Sequence, residues 1–205
     1  MVRFPCTARL EVERKFTALK CSPLRIDGGH PPFSSLKDLG LQRFRDIYYD
    51  SDARLSKAGT YVRQRNGLWQ MKVKRGGTFV NSRSQELSDP DIISSHVKSL
   101  TGRDSAVGDV FGLTRWADFT TIRQTWEADH EFKIVLDQTD FGHSVGEVEL
   151  ETEMFIRDQD QARHVTLAMD DRIDCFFRRY AWAFLVDRPV GKLTAYFEHH
   201  APERA

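Results

Sequence analysis

The chain has 205 residues, and its 30 Lys and Arg balance 30 Asp and Glu, so it carries no formal net charge. Nothing global draws it to nucleic acid or to an anionic membrane, and charge-based specificity must come from local clusters. The length suits a single domain over 1–205 with a sizeable core.

In chain order, residues 9–16, 44–50, 60–65, 69–74, parts of 113–126, 131–137 and 145–154 alternate polar with apolar at the period of a strand. The Pro, Gly and His content of 21–32 predicts a loop. Ser88-Asp89-Pro90 opens a helix with Ile92, Ile93, His96, Val97 and Leu100 on one face, and Gly102 closes it. Residues 160–180 place Ala162, Val165, Met169, Ile173, Phe176 and Phe177 at helical spacing. A short last helix starts near Lys192, with Leu193, Tyr196 and Phe197 facing inward. Strands dominate, and the predicted class is α+β with a closed or nearly closed antiparallel sheet.

Side chains of a strand alternate between its two faces, so Glu11, Glu13 and Lys15 share one surface. The same holds for Arg63 with Arg65, for Lys72 with Lys74, for Lys133 with Asp137, and for Glu147, Glu149, Glu151 and Glu153. Alternation alone describes equally well a sheet wetted on that side. Two features favour an inward charged face. The signs are segregated by strand, whereas solvated faces usually mix them. The helices carry apolar stripes, and only the opposite sheet face can receive them. More than ten charges cannot sit in a dry core, so an inward face implies a hydrated tunnel.

Such a lining suits a string of phosphates, since Arg offers a planar fork and Lys a compact charge. Glu pairs at i and i+2, from two strands, could hold one or two hard cations such as Mg²⁺ or Mn²⁺. Gly76-Gly77 lacks the GK[ST] of a phosphate-binding P-loop.

Six ordered blocks add a resemblance: Glu11-Val12-Glu13-Arg14-Lys15, 44–50 (FRDIYYD), Tyr61-Val62-Arg63-Gln64-Arg65, Trp69-Gln70-Met71-Lys72, Asp140-Phe141-Gly142 leading to Gly146-Glu147-Val148-Glu149, and Gly191-Lys192-Leu193. Together they resemble the triphosphate tunnel metalloenzymes, or CYTH superfamily, and within it the eukaryotic thiamine triphosphatases. The resemblance implies an eight-stranded antiparallel barrel with helices outside and metal-dependent hydrolysis of thiamine triphosphate. Hydrolysis of inorganic or nucleoside triphosphates, an adenylyl cyclase, and a non-catalytic polyphosphate-binding module are the alternatives. Carried over by position, Lys15, Arg63, Arg65, Lys72, Arg123 and Lys192 bind the triphosphate, and Glu11, Glu13, Glu147 and Glu149 bind Mg²⁺. Lys15 and Tyr48 form a catalytic dyad, in which neighbouring cations would lower the lysine pKa and favour alkaline activity. Val135 stands where relatives often carry an acid, and Asp137 is the expected substitute metal ligand. Tyr61 replaces the indole that packs on thiamine in vertebrate relatives and could stack on the cationic thiazolium.

The remaining candidates have plainer readings. Glu151 and Glu153 are expected as solvated charges at the tunnel mouth, and Lys74 and Lys133 as contributors to the local field. His143 is expected at the surface, His199-His200 in a frayed tail, and Trp69, Trp116, Trp126 and Trp182 in packing. Cys6, Cys21 and Cys175 contain no CxxC pair, which suits a reducing cytosol. The longest apolar run, 181–186, falls far short of the ~20 residues that span a bilayer, and the first ten residues contain no secretory h-region. The expectation is a soluble, cytoplasmic monomer acting on a small-molecule triphosphate, with no nucleic-acid or membrane partner.

Overall fold

A computed structural model describes residues 6–104 and 106–201. In chain order the elements are β1 (Cys6–Phe16), β2 (Ala18–Leu19), β3 (Leu36–Asp50), α1 (Arg54–Lys57), β4 (Thr60–Arg65), β5 (Leu68–Gly77), β6 (Asn81–Leu87) and α2 (Pro90–Thr101). A 3₁₀ segment (Val107–Gly112) leads into β7 (Thr114–Ala128), β8 (Phe132–Thr139), β9 (Ser144–Ile156), α3 (Gln159–Arg179), β10 (Phe184–Leu185) and α4 (Lys192–His199). Eight strands close into an antiparallel barrel in the order β1-β6-β5-β4-β3-β7-β8-β9, while β2 and β10 form a separate ribbon.

The apolar strand faces turn outward, where the helices cover them. Val12 and Phe16 of β1, Ile134 of β8 and Val148 and Leu150 of β9 pack on Met169, Ile173, Phe176 and Phe177 of α3. Leu10, Val62, Met71 and Val73 pack on Leu55 of α1 and Ile93 and Val97 of α2. Each fully buried side chain of this size contributes roughly 1.5–3 kcal/mol. Phe16 lies opposite Gly146, where an added Cβ would fall 2.0 Å from its ring, so only glycine admits that contact. Arg14 also points outward and donates to Asp174 of α3 at 2.7 Å. The third packing group is inside: Tyr48, Ala117 and Phe119 receive Phe141 and, from α4, Leu193, Tyr196 and Phe197.

The helix boundaries follow the expected signals. Asp89 caps α2 by accepting from the amides of Asp91 and Ile92, Pro90 fits the first turn, and Gly102 ends it at φ 74°. Asp158 caps α3 through the Gln161 amide. Two strands exceed the sequence expectation: β3 starts at Leu36 rather than near residue 44, and β6 was not foreseen. The 21–32 loop is anchored by Trp182, whose Nε1 donates to the Pro31 carbonyl at 2.9 Å. Cys21 and Cys175 are free thiols, and the Cys6 side chain lies outside the described residues. Among the described residues no helix is long and apolar enough to cross a membrane.

His96 of α2 gives the fold a predicted acid sensitivity. It is buried, and its Nε2 lies 3.0 Å from Thr60 Oγ1. Burial, reinforced by the Arg75 charge, lowers its pKa from 6.5 to about 4. The unfolded chain takes up the proton first, so stability is full above pH 6.5 and falls as the pH drops toward 4. The loss is on the order of 2–3 kcal/mol. Denaturant titrations at several pH values should show a shallower acid decline for His96→Gln than for the native chain. Parallel declines would rule His96 out as the source.

Candidate active site

Alternation sends Glu11, Glu13 and Lys15 of β1 into the barrel, with Tyr48 of β3, Tyr61, Arg63 and Arg65 of β4, Lys72 of β5, Arg123 of β7, and Glu147 and Glu149 of β9. Lys192 enters from the first turn of α4. All of these line one cavity of about 470 Å³, which carries nine basic and six acidic side chains. The excess of bases suits the cavity to a polyanion.

Strand pairing sets Glu11 opposite Glu151 and Glu13 opposite Glu149, an arrangement in which like charges repel. Carboxylate oxygens of Glu11, Glu149 and Glu151 lie within 4.8 Å of one another and could hold a metal ion. Burial pushes the Glu149 pKa up to about 8; Glu11 and Glu147 add to the rise, while Arg123 opposes it. A divalent cation would relieve that repulsion, and an all-oxygen donor set fits a hard ion such as Mg²⁺ or Mn²⁺. Bases reach all of these acids: Lys72 lies 2.5 Å from Glu11, Arg123 lies 3.5 Å from Glu149, and Lys15 lies 3.3 Å from Glu147. Glu13 accepts from Lys15, from Lys72 at 2.7 Å and from Ser82 at 2.9 Å. Burial pushes the Glu13 pKa upward, but Lys72 and Lys15 outweigh it and hold the carboxyl well below its usual range.

The bases are held from behind. Asp46 takes two bonds from Arg65, each 2.8 Å, and lies 3.9 Å from Arg63. Asp137 takes bonds of 2.6 and 2.8 Å from Arg123 and contacts Lys192. Arg63 also donates to Gln70 at 2.9 Å and to the Tyr48 hydroxyl at 3.3 Å.

Several expectations are corrected by this geometry. Lys15 is not made acidic by neighbouring cations. Burial works against its charge, but Glu147 at 3.3 Å and Glu13 outweigh it and hold the ammonium above its ordinary pKa. Nor does Asp137 replace an acid at position 135 in a metal shell. It is fully buried, does not line the cavity, and spends both oxygens on Arg123 and Lys192. Glu151 is exposed, as expected of a mouth charge, and also belongs to the acidic cluster and pairs with Lys133 at 2.9 Å. Trp116 lines the cavity and packs on Phe197 at 4.5 Å between ring centres. His143 sits half-exposed in a turn and bonds the Val190 carbonyl at 2.8 Å, while His199 and His200 are exposed but, rather than fraying, lie against Phe141 at the end of α4.

Glu86, which sequence reasoning missed, also lines the cavity, 4.0 Å from Arg63. Its strand, β6, carries no apolar alternation that would have flagged it.

Comparison with known proteins gives this cavity a family. The CYTH domain model matches residues 9–167. The chain belongs to the CYTH family. It is 30% identical to human thiamine-triphosphatase over 164 residues, which cover 68% of this chain and 67% of the human protein. The Macaca fascicularis thiamine-triphosphatase is 31% identical over the same shares. Among solved structures, the PH1819 protein of Pyrococcus horikoshii matches with a TM-score of 0.53 at 15% identity, covering 92% of this chain and 98% of that one. HpAC1 from Hippeastrum, described as having a dominant triphosphatase activity, matches with a TM-score of 0.50 at 17% identity, covering 94% and 98%. The CYTH match ends within α3, so α4 and Lys192 lie beyond it although they complete the cavity.

Proposed function

We propose that this CYTH protein hydrolyses thiamine triphosphate to thiamine diphosphate and phosphate with the aid of Mg²⁺. The observation that carries this reading is one cavity in which nine bases face a cluster of carboxylates able to hold a metal. The human and macaque relatives, thiamine-triphosphatases by name, support triphosphate chemistry.

In this reading Arg63, Arg65, Lys72, Arg123 and Lys192 bind the phosphate oxygens. Lys15, kept charged by Glu147 and Glu13, adds a donor for the phosphoryl group as negative charge builds on it. Tyr48, bonded to Arg63, orients the attacking water. Glu11, Glu149 and Glu151 hold the ion, with Glu13 and Glu147 able to join them on rearrangement. The bound ion supplies charge neutralisation and a more acidic water. Breaking a phosphoanhydride asks mainly for positioning and charge stabilisation, which this lining provides.

The organic part of the substrate has an aromatic place to lie. Tyr61, Trp116, Leu193 and Phe197 line the cavity and pack on one internal cluster. Aromatic faces attract a cationic thiazolium, whereas inorganic triphosphate makes no use of them.

Phosphate release from thiamine triphosphate, inorganic triphosphate and ATP, each with and without Mg²⁺, tests the proposal. The expected result is metal-dependent turnover with the highest kcat/KM on thiamine triphosphate. A preference for inorganic triphosphate would remove the thiamine part. Tight binding without turnover of any of the three would favour a polyphosphate-binding module.

A further inference from the structure

We infer that Asp46 and Asp137 are positioning residues that fix the spacing and aim of four triphosphate-binding bases, Arg63, Arg65, Arg123 and Lys192. The inference rests on the triphosphatase reading above. Both carboxylates are fully buried, and neither lines the cavity. Each engages two bases: Asp46 holds Arg65 by two 2.8 Å bonds with Arg63 at 3.9 Å, and Asp137 holds Arg123 at 2.6 and 2.8 Å together with Lys192.

The bonds share one pattern. In both arginines the aspartate takes Nε and Nη2, one edge of the guanidinium fork, which leaves Nη1 on the other side, where that of Arg123 lies 3.5 Å from Glu149. Phe44 joins the two clamps, its ring centre lying 4.0 Å from the Arg65 guanidinium carbon and 5.5 Å from that of Arg123. Phe44 and Asp46 follow one another on the inward face of β3, so a single strand sets the spacing between the two guanidiniums. Lys192 would otherwise depend on α4 alone for its position, and Asp137 ties it to β8.

The consequence has a distinctive sign. Asp→Asn removes a negative charge beside a polyanion site, so an aspartate acting only through its charge would bind triphosphate more tightly once neutralised. A positioning aspartate predicts the reverse, because the amide cannot accept both guanidinium bonds and the base loses its aim.

The test is calorimetric binding of inorganic triphosphate, without metal, to the full chain and to Asp46→Asn and Asp137→Asn, scored per folded molecule. Weakening of about ten- to a hundredfold is expected in each. Arg65→Lys provides a second reading should an Asn variant not fold. It keeps the charge but loses the fork, and the same order of weakening is expected. A role confined to stability would lower Tm and leave the Kd of the folded fraction unchanged. Unchanged or tighter binding in the folded variants overturns the clamps and leaves the triphosphatase reading standing. Failure of the native chain itself to bind triphosphate overturns both.

Discussion

Glu149→Gln is expected to cut Mg²⁺-supported turnover by about two to three orders of magnitude while leaving the metal-free fold at least as stable as the native one. Gln conserves the volume of the side chain but removes an anionic ligand from the cluster with Glu11 and Glu151. The stability half follows from proton linkage. The folded protein holds the Glu149 proton up to about pH 8, while the unfolded chain releases it near 4.5. Between those values the folded state binds more protons, so native stability declines as the pH rises through that window. Glutamine never ionises, so the variant lacks this decline. Thermal melts in a chelator at pH 5 and pH 8 should show a smaller drop for the variant than for the native chain. The same proton competes with the metal, so native activity at limiting Mg²⁺ should rise as the pH approaches 8, and added Mg²⁺ should move the rise to lower pH. An alkaline rise of this kind would have its source in a carboxylate rather than in the lysine to which the sequence resemblance attached it. Native-like turnover in Glu149→Gln would sink the metal assignment.

What could be read in advance divides along physical lines. β1 and β9 announce both faces, because their outward residues meet apolar helix surface and their inward ones are charged and line the cavity. β6 announces neither. Its inward residues Ser82, Ser84 and Glu86 are polar because they line the cavity. Its outward Asn81, Arg83 and Gln85 are polar because they bond Asp170 of α3 and Arg75 of β5 in place of apolar contacts. A strand satisfied by hydrogen bonds on both sides leaves no period-two hydrophobic signal. Trp116 packs as expected but also lines the cavity, which alternation does not reveal. Along the β3–β7 pair the register jumps from Tyr48–Ala117 to Tyr49–Arg115, so Trp116 is the extra residue of a bulge, and strict alternation does not predict its direction. The charged ligands themselves were legible, since their sign and parity lie in the sequence. The aspartates behind them were not, because an inward acid reads the same whether it faces a metal or the back of an arginine.

Arg63→Ala should weaken triphosphate binding by about a hundredfold or more and also lower kcat. Arg63 donates to Gln70 and Tyr48 and lies within 4.0 Å of both Asp46 and Glu86, so the β4 base connects phosphate binding to the hydroxyl that orients water. A charge-assisted hydrogen bond contributes about 1.5–3 kcal/mol, and a fork placing two on phosphate oxygens corresponds to roughly a hundredfold or more in affinity. Truncation also leaves Glu86 facing the substrate without its Arg63 neighbour, and burial, with Glu11 nearby, already raises the Glu86 pKa. The loss in kcat has a separate origin, because Tyr48 loses the donor that fixes its hydroxyl. Arg63→Lys separates the two effects: it should recover part of the affinity through its charge and little of kcat, since an ammonium cannot serve Gln70, Tyr48 and phosphate in one plane. Titration of inorganic triphosphate by calorimetry, with steady-state kinetics on the same preparations, measures both quantities. An Ala variant within twofold of the native Kd would mean that the β4 arginines are solvated charges, and the charged face would lose its claim to be a binding wall.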